Sequence, residues 1–351
     1  MSPENLTEAL REKKRLDAYG YRELLTASGQ DVTDMLAGAA REVAVRRFGH
    51  GIYIRGLIEI TNICRNDCLY CGIRKSNTGI PRYRLSFKKI LECCGLGYSL
   101  GFRTFVLQGG ELPDSQDDSI EDMCTGLRSV FPDCAITLSL GERSDESYRR
   151  FFRAGADRYL LRHETHNQAH YSCLHPKEMS LAHRLHCLEI LKETGYQTGT
   201  GIMVGSPYQT VDNIVEDILF IQNFRPEMIG LGPFIPHKDT VFAGWTPDNR
   251  TLELTLRLIS IFRLMFPDAL IPATTALSTL VPDGRELGIL AGANVVMPNL
   301  SPASVRESYS LYDGKASSGA EAAEGLEELK SRLDRIGYHI SAGRGDYVYT
   351  G

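Results

Sequence analysis

No apolar run in this 351-residue chain approaches the roughly 20 residues that cross a bilayer, so a spanning helix and a membrane partner are not expected. A basic excess is missing too. Lys and Arg number 39 against 44 Asp and Glu, and a formal charge of −5 leaves no electrostatic footprint for nucleic acid. The opening segment, Ser2-Pro-Glu-Asn-Leu-Thr-Glu-Ala-Leu10, lacks the charged-then-apolar order of a secretory signal. It reads instead as a helix with Ser2 as N-cap, Pro3 at the first helical position and Glu4 in the first turn. Nine cysteines, an odd number, with no such signal point to a reducing, cytoplasmic setting. Six of them (Cys93, Cys94, Cys124, Cys134, Cys173 and Cys187) are scattered without metal-ligand spacing and read as buried or incidental thiols.

The other three form the run Cys64-Arg-Asn-Asp-Cys68-Leu-Tyr-Cys71, a C-x3-C-x2-C spacing that begins just after an apolar stretch. Thiolates so close in sequence can converge on one centre, yet a closed four-coordinate site needs a fourth ligand. A [4Fe-4S] cluster held by three cysteines leaves one iron open to something outside the chain. A zinc site is the alternative, but no second C-x2-C and no nearby His supplies its partner. A pure electron carrier would close its cluster with four cysteines.

Short β-branched runs alternate with stretches of helical periodicity and no low-complexity linker intervenes. The expected strands are 57–61, 104–107, 135–139, 158–162, 198–204, 228–232, 270–273 and 294–297. The intervening helices fall at 87–100, 120–130, 146–154, 181–194, 211–223 and 252–266. Eight strands in this alternation predict an α/β fold, a (βα)8 TIM-type barrel, with a doubly wound open sheet as the alternative. The expected layout is an N-terminal helical cap over 1–50 covering the barrel's N-terminal end and the barrel over 51–300. A C-terminal extension over 301–351 completes it with a loop and a helix at 321–336.

In such a barrel the residues that follow each strand line one mouth, where active sites sit. Those positions hold the cysteine loop, Gln108-Gly-Gly-Glu111, Ser139-Leu-Gly-Glu142 and Arg162-His-Glu-Thr165. Met203-Val-Gly-Ser-Pro207, Pro233-Phe-Ile-Pro-His237, Thr274-Thr275 and Met297-Pro-Asn299 follow. Polar groups and glycines thus gather at the cysteine end. Some have plainer readings: Arg162 and Glu164 suit a salt bridge, and His163, between them in the alternation, should point away and pack. His183 and His186 read as solvated or partly packed helix residues, and His237 as a rim residue with no assigned partner.

The cysteine spacing, with Tyr70 before the last cysteine, resembles the signature of the radical S-adenosylmethionine (SAM) superfamily. Gly109-Gly110-Glu111 is similar to that superfamily's second motif, and Gly201-Ile-Met-Val-Gly205-Ser-Pro-Tyr-Gln209 to its adenine-supporting motif. Within the superfamily the chain resembles the [FeFe]-hydrogenase maturases of the HydE family. The carrying segments are 156–165, 230–237, 271–276 and 292–299. Methylornithine synthase and biotin synthase share the barrel and the cysteine loop but match these segments less well. Some HydE-type maturases carry a further cysteine group near the C-terminus. Here no cysteine follows Cys187, and the region reads Lys315-Ala-Ser-Ser-Gly-Ala-Glu321, so one cluster is expected.

The resemblance implies that Cys64, Cys68 and Cys71 bind a [4Fe-4S] cluster and that SAM takes the fourth iron. Glu111 would bind the methionyl ammonium, Arg184 its carboxylate and Glu164 a polar part of the cofactor, with Tyr70 and Met203 beside the adenosyl group. Gln108, Arg162, Thr274, Thr275, Met297, Tyr309 and Tyr312 would line the substrate cavity. It also implies an organometallic iron substrate, a low-potential electron donor and, as partners, other hydrogenase maturation proteins. The rival readings are a methylornithine-synthase-like enzyme acting on a small amino acid and a non-catalytic iron–sulfur carrier.

Overall fold

The computed structural model describes residues 1–350 apart from Ser317, which falls inside the cysteine-free 315–321 segment. Six parallel strands follow one another in a single sheet: Gly56–Thr61, Thr104–Gly109, Ala135–Ser139, Arg158–Leu160, Gln197–Thr200 and Met228–Ile229. Parallel bridges Met228 to Leu270, Pro272 to Val295 and Leu57 to Asn299 carry the ring through the last two positions and back to the first strand. The Leu57 amide donates to Pro298 O at 3.0 Å and the Leu300 amide to Leu57 O at 2.7 Å, which seals the closure. The expected parallel (βα)8 barrel is therefore formed.

Local chemistry explains where the strands depart from expectation. The seventh position is held by bridges alone, since Pro272 offers no N–H to a ladder. The expected strand 198–204 splits into Gln197–Thr200 and Met203–Val204, and 228–232 into Met228–Ile229 and Gly232–Pro233. Between the halves a Cβ on Gly201 would lie 1.6 Å from Gly230 O, so the two backbones approach too closely for a regular ladder.

The helices run close to expectation, as Phe87–Ser99, Asp117–Val130, Asp145–Arg153, Leu181–Thr194, Val211–Phe224 and Thr251–Met265. Ser2 caps the first helix, Pro3–Lys13, with Pro3 opening it. The C-terminal helix starts later than expected, at Leu326–Arg335, after two 3-10 turns at Gly319–Glu321 and Ala323–Gly325. Among the described residues no helix is long and apolar enough to cross a membrane. Of the six scattered cysteines, Cys173 is exposed and the rest are buried, and all are free.

At the barrel's N-terminal end the structure adds an element that the sequence reading did not contain. The helices Pro3–Lys13, Ala18–Thr26 and Gln30–Phe48 pack against Val211–Phe224 and Thr251–Met265, and Arg47 near the end of the third pairs with Asp268 and donates to Val348 O of the tail. Buried Arg257 fastens the second and third helices to Thr251–Met265, donating to Leu24 O and Ala27 O at 2.8 Å and to Thr33 Oγ1 at 2.9 Å. The added element is the C-terminal tail, which closes the end. His339–Ser341 pairs with an extra strand, Gly51–Ile54, and the chain then crosses the opening. Arg158, buried at the floor, donates to Arg344 O, Gly345 O and Asp346 Oδ1 at 3.0, 3.1 and 2.6 Å.

Candidate active site

With one end sealed, the open mouth leads into a cavity of about 350 Å3. Every residue given a cluster, cofactor or substrate role lines it: the three cysteines, Tyr70, Gln108 to Glu111, Arg162, Glu164, Arg184, Met203, Thr274, Thr275, Met297, Tyr309 and Tyr312. Phe234, from the rim segment after the sixth strand, lines it too, as does Lys315, which the sequence reading quoted only for its cysteine-free segment.

The cysteine loop owes its shape to residues the motif does not contain. Arg82 donates to Asn62 O, Ile73 O, Arg74 O and Asn77 O at 2.5 to 2.8 Å, folding the loop around one guanidinium. Gly110 lets the second strand abut it, since a Cβ there would lie 2.3 Å from Ile63 O. Gly72 meets the other wall, where a Cβ would fall 2.6 Å from the Nε2 of buried His237. His237 thereby gains a packing partner that the sequence did not assign. Cys64 Sγ accepts from the Glu111 amide at 3.4 Å. Burial, followed by the neighbouring Cys71, pushes the Cys68 thiol well above its ordinary value. Burial and Cys64 push Cys71 up to about 12.

Three thiols so destabilised as anions fit a cationic centre that would compensate them. Among the described residues no three His, Cys, Asp or Glu side chains are grouped to hold a single metal ion. A cubane asks something different of them, because each thiolate takes a separate iron.

Charged groups ring the rest of the mouth. Both carboxylate oxygens of Glu111 are engaged, by Arg65 Nε and by the Glu142 amide, each at 2.7 Å. Arg184 reaches the site because Leu181, Leu188 and Leu191, on the same helix face, are buried. Its guanidinium pairs with Glu142 and donates to Arg162 O at 2.6 Å. Burial, the largest single influence, opposes the charge on Arg184, but Glu142 together with Tyr171 and Tyr70 pushes the group well above its ordinary value. Glu142 appeared in the sequence as a rim residue and had no role; the pairing with Arg184 spans 42 positions and leaves no local signal.

Arg162 and Glu164 do approach as a salt bridge, at 3.1 Å. Its geometry is too poor for a hydrogen bond, and Glu164 Oε2 and Arg162 Nε have no hydrogen-bond partner, like Thr274 Oγ1. Glu164 also holds φ at 66°, a left-handed conformation that costs a non-glycine residue. Unpartnered polar atoms thus collect around one cavity, with backbone strain at Glu164. As expected, His163 points outward and packs on Phe220. His183 and His186 remain about half exposed. On the adenosyl side of the expected site Met203 and Phe234 form an apolar cluster with Tyr70 against it, and His175 meets the Tyr70 ring edge-on at 5.4 Å.

A closed parallel barrel with a three-cysteine loop and acidic and basic groups at one mouth defines a radical SAM enzyme. The superfamily's model matches residues 58–221. The chain is 43% identical over 304 residues to the [FeFe] hydrogenase maturase subunit HydE of Thermotoga maritima, spanning 87% of this chain and 86% of that one. It therefore belongs to the HydE family of the radical SAM superfamily. The 3-methylornithine synthase of Methanosarcina barkeri is 28% identical over 313 residues, 88% of this chain and 87% of that one. A crystal structure of methylornithine synthase (PylB) superposes with a TM-score of 0.83 at 24% identity, over 96% of this chain and 97% of its own. Membership implies a [4Fe-4S] cluster and SAM as cofactors, and the cavity's thiols and unpartnered polar atoms fit both.

Proposed function

We propose that the chain is a radical SAM maturase of [FeFe]-hydrogenase that acts on an iron complex carrying cysteine, carbon monoxide and cyanide. The observation that carries this reading is the identity to HydE, which spans nearly the whole chain. Cys64, Cys68 and Cys71 hold the single cluster. When bound, the reduced cluster and SAM together supply a 5′-deoxyadenosyl radical.

The chain's own work is binding, orientation and exclusion of water. Arg184, kept protonated beside Glu142, takes the methionyl carboxylate, for which a guanidinium fork is suited. Glu111 serves the ammonium, which requires that its contact with half-exposed Arg65 be shared or released. Glu164 contributes to a polar part of the cofactor the oxygen that meets Arg162 as an ion pair but accepts no hydrogen bond. Tyr70 and Met203 cover the apolar rings. Deeper in, Arg162 and Thr274 offer donors for an anionic substrate, while Thr275, whose hydroxyl donates to Glu321 at 2.9 Å, joins Gln108, Met297, Tyr309 and Tyr312 in shaping the space around it. A low-potential donor supplies the electron, and other maturation proteins supply the substrate and receive the product.

The test is anaerobic reconstitution followed by product analysis with an iron(II)–cysteine complex. Reductive SAM cleavage coupled to loss of that complex is the expected result. A second arm uses lysine, because the barrel also matches a methylornithine synthase closely. Conversion of lysine to an isomer, with the iron complex untouched, would overturn the maturase reading. A cluster-loaded protein that makes no 5′-deoxyadenosine after reduction would mark a carrier instead.

A further inference from the structure

Segment 306–316 crosses the barrel mouth and is tied down along its length. Asn62 Nδ2 donates to Ser308 O at 2.7 Å, the Gly72 amide to Leu311 O at 2.9 Å, and the Asp313 amide to Pro236 O at 3.0 Å. These ties bring Lys315 into the cavity wall, where its side chain keeps 10% of its surface. Behind it stands Glu59, fully buried and absent from the cavity lining. The carboxylate of Glu59 receives Lys315 Nζ on one oxygen and Asn299 Nδ2 on the other at 3.0 Å. The ammonium also donates to Tyr309 O at 3.1 Å and lies 4.8 Å from the Tyr309 ring centroid.

An ammonium carries three donors, and these contacts use two of them. One N–H of a cavity-lining side chain is thus left without an acceptor. Glu59 fixes the charge and position of the ammonium, so an anion meets a preplaced donor and pays little to order it. Arg162 borders the same cavity with Nε unpartnered. Two cations reaching one cavity from the fourth barrel strand and from the C-terminal extension suit a ligand with more than one anionic group.

Building on the substrate reading above, we propose that Lys315 is a substrate-binding residue that anchors the carboxylate of the iron-bound cysteine. The segment that lacks the additional cysteines thus supplies a cation to the substrate instead. A charge-assisted bond of this kind contributes about tenfold or more in affinity.

Equilibrium titration of the reconstituted holoenzyme tests this with two iron(II) carbonyl–cyanide probes, one carrying L-cysteine and one carrying cysteamine, which lacks the carboxylate. Wild type is expected to prefer the cysteine complex by about tenfold. Lys315→Gln removes that preference and Lys315→Arg keeps part of it; in turnover, KM rises while kcat changes less. Since Lys315→Gln strands a buried carboxylate, the double variant Glu59→Gln with Lys315→Gln repeats the measurement with both charges gone. An undiminished preference in either variant overturns the role of Lys315 alone. If wild type binds neither complex while still cleaving SAM, the substrate reading fails and this inference falls with it.

Discussion

Arg158 and Arg162 leave the same strand region on the same inward side, yet they are treated in opposite ways. At the sealed end, every guanidinium nitrogen of Arg158 has an acceptor: Gln197 Oε1 at 3.1 Å, Thr104 Oγ1 at 3.2 Å, and the tail at residues 344–346. At the mouth, Arg162 has a single carbonyl, Ile202 O, a poorly aligned carboxylate and an unpartnered Nε. One arginine closes the fold and the other is kept incomplete. The difference sets these two arginines apart, but an unpartnered nitrogen is not by itself a mark of function: buried Arg55, beside Arg158, also has Nε and Nη2 without a hydrogen-bond partner.

The largest effect should come from the mouth's own anchor. Cys68→Ser is expected to abolish 5′-deoxyadenosine formation and lower bound iron while the melting temperature stays near that of the wild-type apoprotein. Full reductive cleavage by this variant would remove the loop from the chemistry. The arginine pair gives the next test. Arg158→Met should cost about 3 kcal/mol of stability, because it strands Asp346 and the tail carbonyls in a closed floor. Arg162→Met should leave the denaturation midpoint close to wild type and reduce turnover at least tenfold. Equal destabilisation by both would erase the contrast between the two ends.

Glu164 offers a smaller and sharper version. Its left-handed φ of 66° is a local cost that glycine would not bear. Glu164→Gly should therefore leave stability unchanged or raise it by about 1 kcal/mol, while weakening SAM binding in a titration. A clear loss of stability would mean that the side chain supports the barrel and is not reserved for a ligand.

The two ends also differ in how far sequence exposes them. The mouth was legible because barrel geometry maps each strand's end onto one rim, so local motifs such as Gly109-Gly110-Glu111 fell into place without knowledge of contacts. The sealed end was not. His339–Ser341 is three residues long, too short for any periodicity, and its partner Gly51–Ile54 lies far away in the chain. The second and third helices are tied to Thr251–Met265 by Arg257, which gathers Leu24 O and Ala27 O, a bond set no spacing announces. Glu59 with Lys315 and Glu142 with Arg184 escaped for the same reason: pairs joined by the fold leave no local pattern. His163 shows the converse, since simple alternation sufficed to turn it outward.

That outward face supplies the last and smallest test, because it too holds unpartnered atoms: His163 Nε2, His170 Nδ1 and Asp217 Oδ2. If such atoms alone marked function, this cluster would be a second site. Its charges argue otherwise. Burial, against the His166 amide at 2.5 Å and the nearby His170 and His166, raises the Asp217 carboxyl to about 8. Burial also lowers His163 to about 3 and depresses His166 and His170. The cluster is thus neutral near pH 7, with Glu216 as the other acid facing it. Asp217 holds its proton more tightly folded than unfolded, so its contribution to stability is complete below about pH 4 and is lost as pH rises toward 8. The histidines work in the opposite sense, gaining the last of their contribution just above about pH 6.5, and because Asp217→Asn retains them this part cancels in the comparison. Between pH 6.5 and 8, wild type should therefore lose about 1 to 2 kcal/mol more stability than Asp217→Asn in urea denaturation. Parallel profiles would show a carboxylate already ionised, and the outer face would then rank with the mouth as a place where charge is held for a partner.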